Sequence, residues 1–172
     1  MTVKDYIRDI PDFPSVGTTY RDISPILHDS KAMEYAVDSM YERVKDLQPD
    51  VIVGIESRGY IFGALLAARF KIGLATARKK SDVHPLDVVG IDYAIEMGTS
   101  RIEMMRDAIK KGERVLIVDD LLATGVTSKA AADLVQMLGG EVVGFAFLAD
   151  ISYYDGELLL ASIAPVVHIY DC

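Results

Sequence analysis

The stretch VDDLLATGVT, residues 118–127, combines side chains that suit two different kinds of ligand. Asp119 and Asp120 can accept hydrogen bonds from hydroxyl groups or hold a cation. The residues at 123–127 offer hydroxyl donors, a glycine and backbone N–H groups, which suit an anion. A ribose 5-phosphate needs both, because it carries sugar hydroxyls and a phosphate. A simple strand-to-helix turn with a capping threonine is the plainer alternative.

A second stretch, GIESRGYIFG (54–63), places Ser57 and Arg58 directly after a run rich in β-branched residues. Arg58 can bind a diphosphate through two parallel N–H donors. A helix predicted to start here adds backbone donors that have no partner within the helix. A surface arginine beside a capping serine is the alternative.

The apolar pattern predicts strands that alternate with helices, and therefore an α/β doubly wound domain with a parallel sheet covered on both faces. Ligands bind at the carboxyl ends of the strands in such domains, where the acid pair and Arg58 are expected. The predicted strands are 51–56, 73–80, 114–120 and 141–150. The predicted helices are 57–70, 127–140 and one from Met33 to Leu47, with Asp29 or Ser30 as N-cap.

Two segments lack a clear pattern. The first 28 residues are rich in turn signals and predict a lead-in dominated by loops. Residues 81–98 show weak periodicity and carry Pro85, Gly90 and Gly98, which is typical of a functional loop or a disordered segment.

The composition of the 172 residues predicts one globular domain, with 51% apolar and 26% charged residues. A formal charge of −8 disfavours general binding to nucleic acid. No apolar run reaches the roughly 20 residues that a membrane span needs. Cys172 is the one cysteine, which excludes an intramolecular disulfide and favours a reducing cytoplasm. The three histidines show no metal-ligand spacing.

Residues 118–127 resemble the signature with which type I phosphoribosyltransferases bind phosphoribosyl diphosphate (PRPP): a β-branched strand, two acids, two apolar residues and ATG-x-T. The resemblance implies that Asp119 and Asp120 contact the ribose. The family usually has glycine at the position of Val126. The residues that would wrap the 5′-phosphate are Ala123, Thr124, Gly125, Val126 and Thr127.

Two further stretches resemble the adenine-specific members of this family. GIESRG is similar to their diphosphate loop, which implies that Ser57 and Arg58 bind PRPP. The N-terminal IPDFPSVGTTYRDISPIL (10–27) is similar to their hood, which implies a hood segment at 1–28 with Tyr20 and Arg21 over the purine.

The cluster ARKK (77–80) is, by itself, typical of a solvated strand end. The resemblance implies instead that three cations reach the diphosphate, in part across a dimer interface. These cations are Arg78, Lys79 and Lys80.

The same resemblance implies a flexible lid at 79–98, whose loop follows the cation cluster. YAIEMG, at its end, matches an acid-containing motif and makes Glu96 the acid near the purine, either as a proton carrier or as an anchor. Related sequences commonly have tyrosine where Met97 stands, and Lys-Leu-Pro where this lid has DVHP.

Over about residues 10–150, the resemblance implies a single domain, 1–172, with a central, mostly parallel sheet, a hood and a lid. It implies transfer of ribose 5-phosphate from PRPP to adenine, giving AMP and diphosphate in purine salvage, with Glu96 and Arg58 as catalytic residues. It also implies Mg²⁺ held through PRPP and water rather than by the protein, and a cytoplasmic homodimer. Transfer to hypoxanthine, guanine or xanthine, and a PRPP-sensing protein without turnover, are the alternatives.

Overall fold

The computed structural model describes residues 3–80, 87–96 and 98–172. Contacts divide the chain into a smaller unit that ends at Ser39 and a larger unit from Met40 to Cys172. A single domain over 1–172 stays a prediction. Among the described residues, no helix has both the length and the apolar character needed to cross a membrane.

The smaller unit is more regular than the predicted lead-in of loops. It contains an antiparallel hairpin and a short helix, so the prediction of a loop-dominated segment over the first 28 residues is wrong. Short strands and proline-rich turns hid the alternation that would have indicated a hairpin. The elements are a 3₁₀ turn (Val3–Tyr6), β1 (Arg8–Pro11), β2 (Thr19–Asp22), α1 (Ser24–His28) and the first part of α2 (Ser30–Val44).

Asp22 fixes the junction between β2 and α1. Its carboxylate accepts hydrogen bonds from the hydroxyl of Ser24 at 2.6 Å and from the backbone N–H of Ser24 at 2.9 Å. Arg8 donates to the same carboxylate at 2.6 Å. These bonds, with that from the Ser24 hydroxyl first, lower the pKa of Asp22 to about 2.

The larger unit is built on a seven-stranded sheet with the order β5-β6-β4-β3-β7-β8-β9. Five neighbouring strands, from β4 to β9 in that order, are parallel, and an antiparallel hairpin closes one edge. The strands are β3 (Val51–Ile55), β4 (Gly73–Lys79), β5 (Val88–Ile95), β6 (Gly98–Met105), β7 (Arg114–Leu122), β8 (Glu141–Asp150) and β9 (Val166–Asp171).

Helices pack against this sheet because each buries one apolar stripe. The helix after the phosphate turn buries Ala130, Ala131, Leu134 and Val135. Gly139 follows that helix with a φ of +92°, a conformation that glycine adopts without strain. This fold confirms the predicted class, an α/β domain with a mostly parallel sheet flanked by helices. The helices are α3 (Gly59–Phe70), α4 (Val126–Met137) and α5 (Gly156–Ala161).

The prediction of an irregular segment over 81–98 is wrong for the part from Val88 onward, which forms β5 and the start of β6. Val89, Ile91 and Tyr93 pack against the core with the period of two expected for a strand. Apolar residues on the opposite face of β5 hid this period. The rest of the predicted lid, 81–86 and Met97, lies outside the described residues.

Candidate active site

The candidate site lies where β3 and β7 end. The two strands pair in parallel as far as Gly54 and Val118, so the segments that follow them leave the sheet side by side. β7 continues to Leu122, two residues beyond the predicted end. Asp119 and Asp120 therefore lie among its last four residues. The parallel pairing thus brings together the two stretches that the sequence singled out.

An ion pair joins these two stretches directly. The Nε atom of Arg58 lies 2.8 Å from Oδ2 of Asp120. Asp120 is buried, with 4% of its surface exposed, whereas about a third of the Arg58 side chain (32%) is exposed. A buried carboxylate is costly without a partner, so Arg58 offsets its charge while remaining within reach of a ligand. Ser57 is exposed beside it.

Asp119, unlike Asp120, is not paired with Arg58 in the ion pair described above, and its carboxyl group has a raised pKa. Its Oδ1 accepts a hydrogen bond from the backbone N–H of Asp120 at 2.8 Å. Burial, followed by the negative charge of Asp120, raises the pKa of Asp119 well above the ordinary carboxyl value. Hydroxyl donors or a cation would favour the ionised form, so the acid pair is suited to a ligand that supplies either.

Gly59 allows the start of α3 to lie against the end of β7. A Cβ atom at this position would lie 2.7 Å from the carbonyl oxygen of Val118 and 2.8 Å from Oδ1 of Asp119. Real side chains do not tolerate such distances, so the approach requires glycine. This role of Gly59 was not predicted, although a glycine that directly follows Arg58 at a predicted helix start was the available signal.

The predicted phosphate turn leads into α4, which begins at Val126, one residue earlier than predicted. Gly125 takes the left-handed conformation, with a φ of +77°, and the helix has no side-chain cap among the described residues. The alternative of a threonine that caps the helix is therefore wrong. Val126 adopts an ordinary helical conformation, because the positive φ falls on Gly125. The uncapped N-terminus presents N–H groups and the positive end of the helix dipole to an anion.

The start of α5 packs closely against the backbone of this turn. A Cβ atom at Gly156 would overlap the carbonyl oxygen of Ala123, and one at Gly125 would lie 2.9 Å from the carbonyl oxygen of Gly156. Two glycines thus let two backbone segments touch. Thr124 and Thr127 remain half-buried on either side of Gly125, where their hydroxyls are near the turn.

The cations Arg78, Lys79 and Lys80 are exposed at the end of β4, next to β3. Oε2 of Glu56 accepts a hydrogen bond from the backbone N–H of Lys79 at 2.7 Å, which ties this strand end to the segment before Ser57. This contact of Glu56 with the end of β4 was also not predicted from the sequence. A cavity of about 380 Å³ opens here, lined by Lys79, Lys80, Asp92, Thr99, Ser100 and Arg101.

Tyr60, in the first turn of α3, packs against the end of β4. Its hydroxyl donates to the carbonyl oxygen of Ala77 at 3.3 Å. Burial raises the pKa of Tyr60 to about 12, so this phenol stays neutral and acts as a hydrogen-bond donor.

The β5–β6 hairpin reaches the phosphate turn through Tyr93. The hydroxyl groups of Thr127 and Tyr93 lie 3.4 Å apart. Glu96 is exposed in the turn of this hairpin, three residues beyond Tyr93. The structure therefore places Glu96 on an element that contacts the first turn of α4.

Tyr20 and Arg21 belong to β2 of the smaller unit. The ring of Tyr20 meets the ring of Phe13 edge-on, with 5.5 Å between the centroids. Nη1 of Arg21 lies 3.3 Å from Oδ1 of Asp9. Their predicted position over a purine stays a prediction.

Comparisons with known proteins agree on one family. The family model described as phosphoribosyl transferase domain matches residues 25–159. The adenine phosphoribosyltransferase of a Synechococcus strain is 47% identical over 167 residues, which cover 96% of each chain.

Solved structures give the same result. Adenine phosphoribosyltransferase from Thermoanaerobacter pseudethanolicus superimposes with a TM-score of 0.94 at 38% identity, covering 99% of this chain and 98% of that one. The enzyme from Saccharomyces cerevisiae, solved with an imino-altritol bisphosphate and adenine, gives 0.89 at 31% identity, with coverages of 97% and 96%.

The raised pKa of Asp119 predicts that its carboxylate lowers stability. Between the ordinary carboxyl pKa of 3.8 and the raised value, the folded state binds more protons than the unfolded state, so stability falls as the pH rises through that window. Asp119→Asn removes this titration. We expect the variant to melt at a higher temperature than the wild type at pH 7–8, with a smaller gain at low pH.

Thermal unfolding monitored by circular dichroism from pH 4 to 8 measures this difference. Asp107→Asn, at an exposed position, is the control and should follow the wild type. A variant that is less stable than the wild type over the whole range would contradict the electrostatic argument.

Proposed function

Because the chain belongs to the phosphoribosyl transferase domain family, and within it to the adenine phosphoribosyltransferases, we propose that it transfers ribose 5-phosphate from PRPP to adenine, releasing AMP and diphosphate. The observation that carries this proposal is the pair formed by Arg58 and Asp120. It joins the segment after β3 to the acid pair in the last part of β7, so one ligand with a diphosphate, a ribose and a phosphate can contact both. The role in purine salvage follows from the reaction.

The binding roles follow the charges of the site. Asp119 and Asp120 accept hydrogen bonds from the ribose 2′ and 3′ hydroxyls, and the turn at 123–127 binds the 5′-phosphate through backbone N–H groups at the start of α4. Arg58 and Ser57 bind the diphosphate, together with the exposed cations at the end of β4. The contact between Lys79 and Glu56 supports this placement, because it fixes the cation-bearing strand end beside the Ser57 segment.

In the reaction, the bond from C1′ to the diphosphate oxygen breaks, a bond from an adenine nitrogen to C1′ forms, and the adenine loses the proton of its imidazole ring. The diphosphate leaves with the electron pair, through a transition state that resembles an oxocarbenium ion. The protein needs no nucleophile of its own; it positions both substrates and stabilises the charge of the leaving group. Arg58, Arg78, Lys79 and Lys80 supply positive charge where the diphosphate departs.

Mg²⁺ fits this site as part of the PRPP complex. Two adjacent carboxylates at a strand end present oxygen atoms, which are the ligands that Mg²⁺ and its water shell prefer. A bound Mg²⁺ would supply positive charge for the leaving diphosphate. Asp119 and Asp120 would orient the ribose and hold the waters of the metal ion.

In our proposal the purine is bound by Tyr20, Arg21 and Glu96. Tyr20 and Arg21 cover the base, and Glu96 either moves a proton at N7 or holds the purine in place. The contact of Tyr93 with Thr127 supports a position of the hairpin near the phosphate turn. The segment at 79–98 acts as the lid that closes over PRPP and excludes water.

We also propose a homodimer in the cytoplasm, in which the cations at the end of β4 reach the diphosphate in part across the dimer interface. The homodimer is supported by the exposure of Arg78, Lys79 and Lys80. The reducing compartment is supported by a single, half-buried cysteine, Cys172. The net charge of −8 supports the absence of a nucleic-acid partner.

A product assay tests the activity and the choice of base together. Purified protein is incubated with PRPP, Mg²⁺ and, in separate reactions, adenine, hypoxanthine, guanine or xanthine, and the products are separated by chromatography. We expect AMP from adenine alone, since a pocket that pairs the exocyclic amine leaves buried polar groups unpaired with a 6-oxopurine.

Product from a 6-oxopurine would keep the PRPP site and contradict the assignment of the base. No product from any base, with PRPP still raising the melting temperature, would contradict the enzymatic proposal and favour a PRPP-binding protein.

Arg58→Ala tests the diphosphate role. We expect kcat/KM for PRPP to fall by roughly 100-fold or more, because a donor to the leaving group is lost. The variant should also be less stable, since Asp120 keeps a buried charge without its partner.

The double variant Arg58→Ala with Asp120→Asn separates the two effects. It should recover the stability lost by the single variant without recovering activity. Arg69→Ala, at an exposed position in the last turn of α3, is the matched control and should keep wild-type kinetics. Recovery of activity in the double variant would contradict direct binding of the diphosphate by Arg58.

Glu96→Gln and Glu96→Ala distinguish the two roles of Glu96. If the carboxylate moves a proton, both variants should lose kcat by roughly 100-fold. If it anchors the purine, glutamine should keep most of the activity and alanine should raise KM for adenine. Steady-state kinetics with Glu34→Gln, an exposed position on α2, as control decide between them. Wild-type kinetics in both variants would exclude Glu96 from the reaction.

A further inference from the structure

The carboxyl ends of β8 and β9 hold a cluster of three side chains that the proposed reaction does not use. Asp150 and Asp171 are register partners on these parallel strands, and His168 lies three residues before Asp171. Each residue offers one ligand atom, and these three atoms lie within 4.8 Å of one another. We call Asp150, His168 and Asp171 the β8–β9 cluster.

Two polar atoms of this cluster are buried without a hydrogen-bond partner in the described part of the chain. They are Oδ1 of Asp150 and Nδ1 of His168. Asp150 as a whole is 4% exposed, and its other oxygen accepts a hydrogen bond from the Ser152 hydroxyl at 3.2 Å. Leaving a buried carboxylate oxygen unpaired costs stability, so the site favours a bound donor or cation.

The strand ends that carry these groups are fixed by backbone contacts. The backbone N–H of Cys172 donates to the carbonyl oxygen of Asp150 at 2.8 Å. Arg43 donates to the carbonyl oxygen of His168 at 2.7 Å. The three side chains are thus presented from rigid backbone, which is the arrangement that metal sites need.

We propose that the β8–β9 cluster binds a divalent transition-metal ion, with Zn²⁺ as the ion that best matches its ligands. One imidazole nitrogen and two carboxylate oxygens form bonds of about 2.0–2.2 Å to Zn²⁺, so bound ligand atoms lie roughly 3–4 Å apart. The three ligand atoms already lie within 4.8 Å of one another, so metal binding needs only a small adjustment of the side chains. Asp171 is exposed, so a fourth position remains open to water.

The imidazole distinguishes this site from the one for PRPP. Mg²⁺ prefers oxygen ligands and keeps its water shell, whereas Zn²⁺ accepts imidazole nitrogen readily. The two sites are therefore expected to select different ions in the same solution.

An isolated ion pair between His168 and Asp171 is the competing explanation. Nε2 of His168 lies 2.8 Å from Oδ1 of Asp171, which a protonated imidazole would satisfy. That pair does not account for the unpaired Oδ1 of Asp150, which a cation shared by the three residues would satisfy.

Isothermal titration with ZnCl₂, in excess Mg²⁺ and without PRPP, tests the proposal. We expect one Zn²⁺ per chain in the wild type, and affinity at least about tenfold weaker in His168→Asn and in Asp171→Asn. Zn²⁺ should also raise the melting temperature of the wild type more than that of either variant.

His28→Asn and Asp107→Asn remove an exposed histidine and an exposed aspartate elsewhere, and should bind Zn²⁺ like the wild type. Absence of Zn²⁺ binding, or equal affinity in His168→Asn, would overturn the proposal. So would binding that is kept in His168→Asn and lost in Asp120→Asn, because it would place the ion at the PRPP acids.

Discussion

The close contact between the start of α3 and the end of β7 is the constraint on which the rest of the site depends. Gly59 allows the two segments to touch, and Arg58, one residue earlier, is thereby held 2.8 Å from the buried carboxylate of Asp120. Without Arg58, the buried carboxylate of Asp120 would lose the cation that offsets its charge. The segment that carries Arg58 and the acid pair are therefore one structural unit, which suits the roles that we propose for them in binding diphosphate and ribose.

The same edge of the sheet shows how a protein with a net charge of −8 can bind a highly anionic substrate. Positive potential comes from local sources, namely the uncapped start of α4, Arg58 and the cations that end β4. Because screening weakens charges more than about a Debye length away, roughly 8 Å at physiological salt, the nearby groups outweigh the distant acids. Placement, rather than total charge, decides which ligand binds.

The sequence predicted the elements whose patterns are local, and missed features that depend on strand pairing. The predicted positions were correct to within a few residues for elements whose apolar pattern fits one kind of secondary structure, namely β3, β7, β8 and α4. The acid pair and Arg58 followed, because residues after parallel strands must meet at one edge. β5 was missed because both its faces carry apolar residues. The contact of Gly156 with Ala123 was missed because no local pattern reports contacts over 33 positions of sequence.

The β8–β9 cluster is a second feature that depends on strand pairing and that the sequence did not predict. Asp150 and His168 stand 18 positions apart and form no metal-ligand spacing, so the histidines alone indicated nothing. Parallel pairing makes Asp171 the register partner of Asp150, and Nε2 of His168 lies 2.8 Å from Oδ1 of Asp171. Since the five parallel strands all end at this edge, each can add polar groups there, and β7 and β8 do so at a cost in stability. The raised pKa of Asp119 and the unpaired oxygen of Asp150 are two forms of that cost, and a bound cation or donor would relieve both.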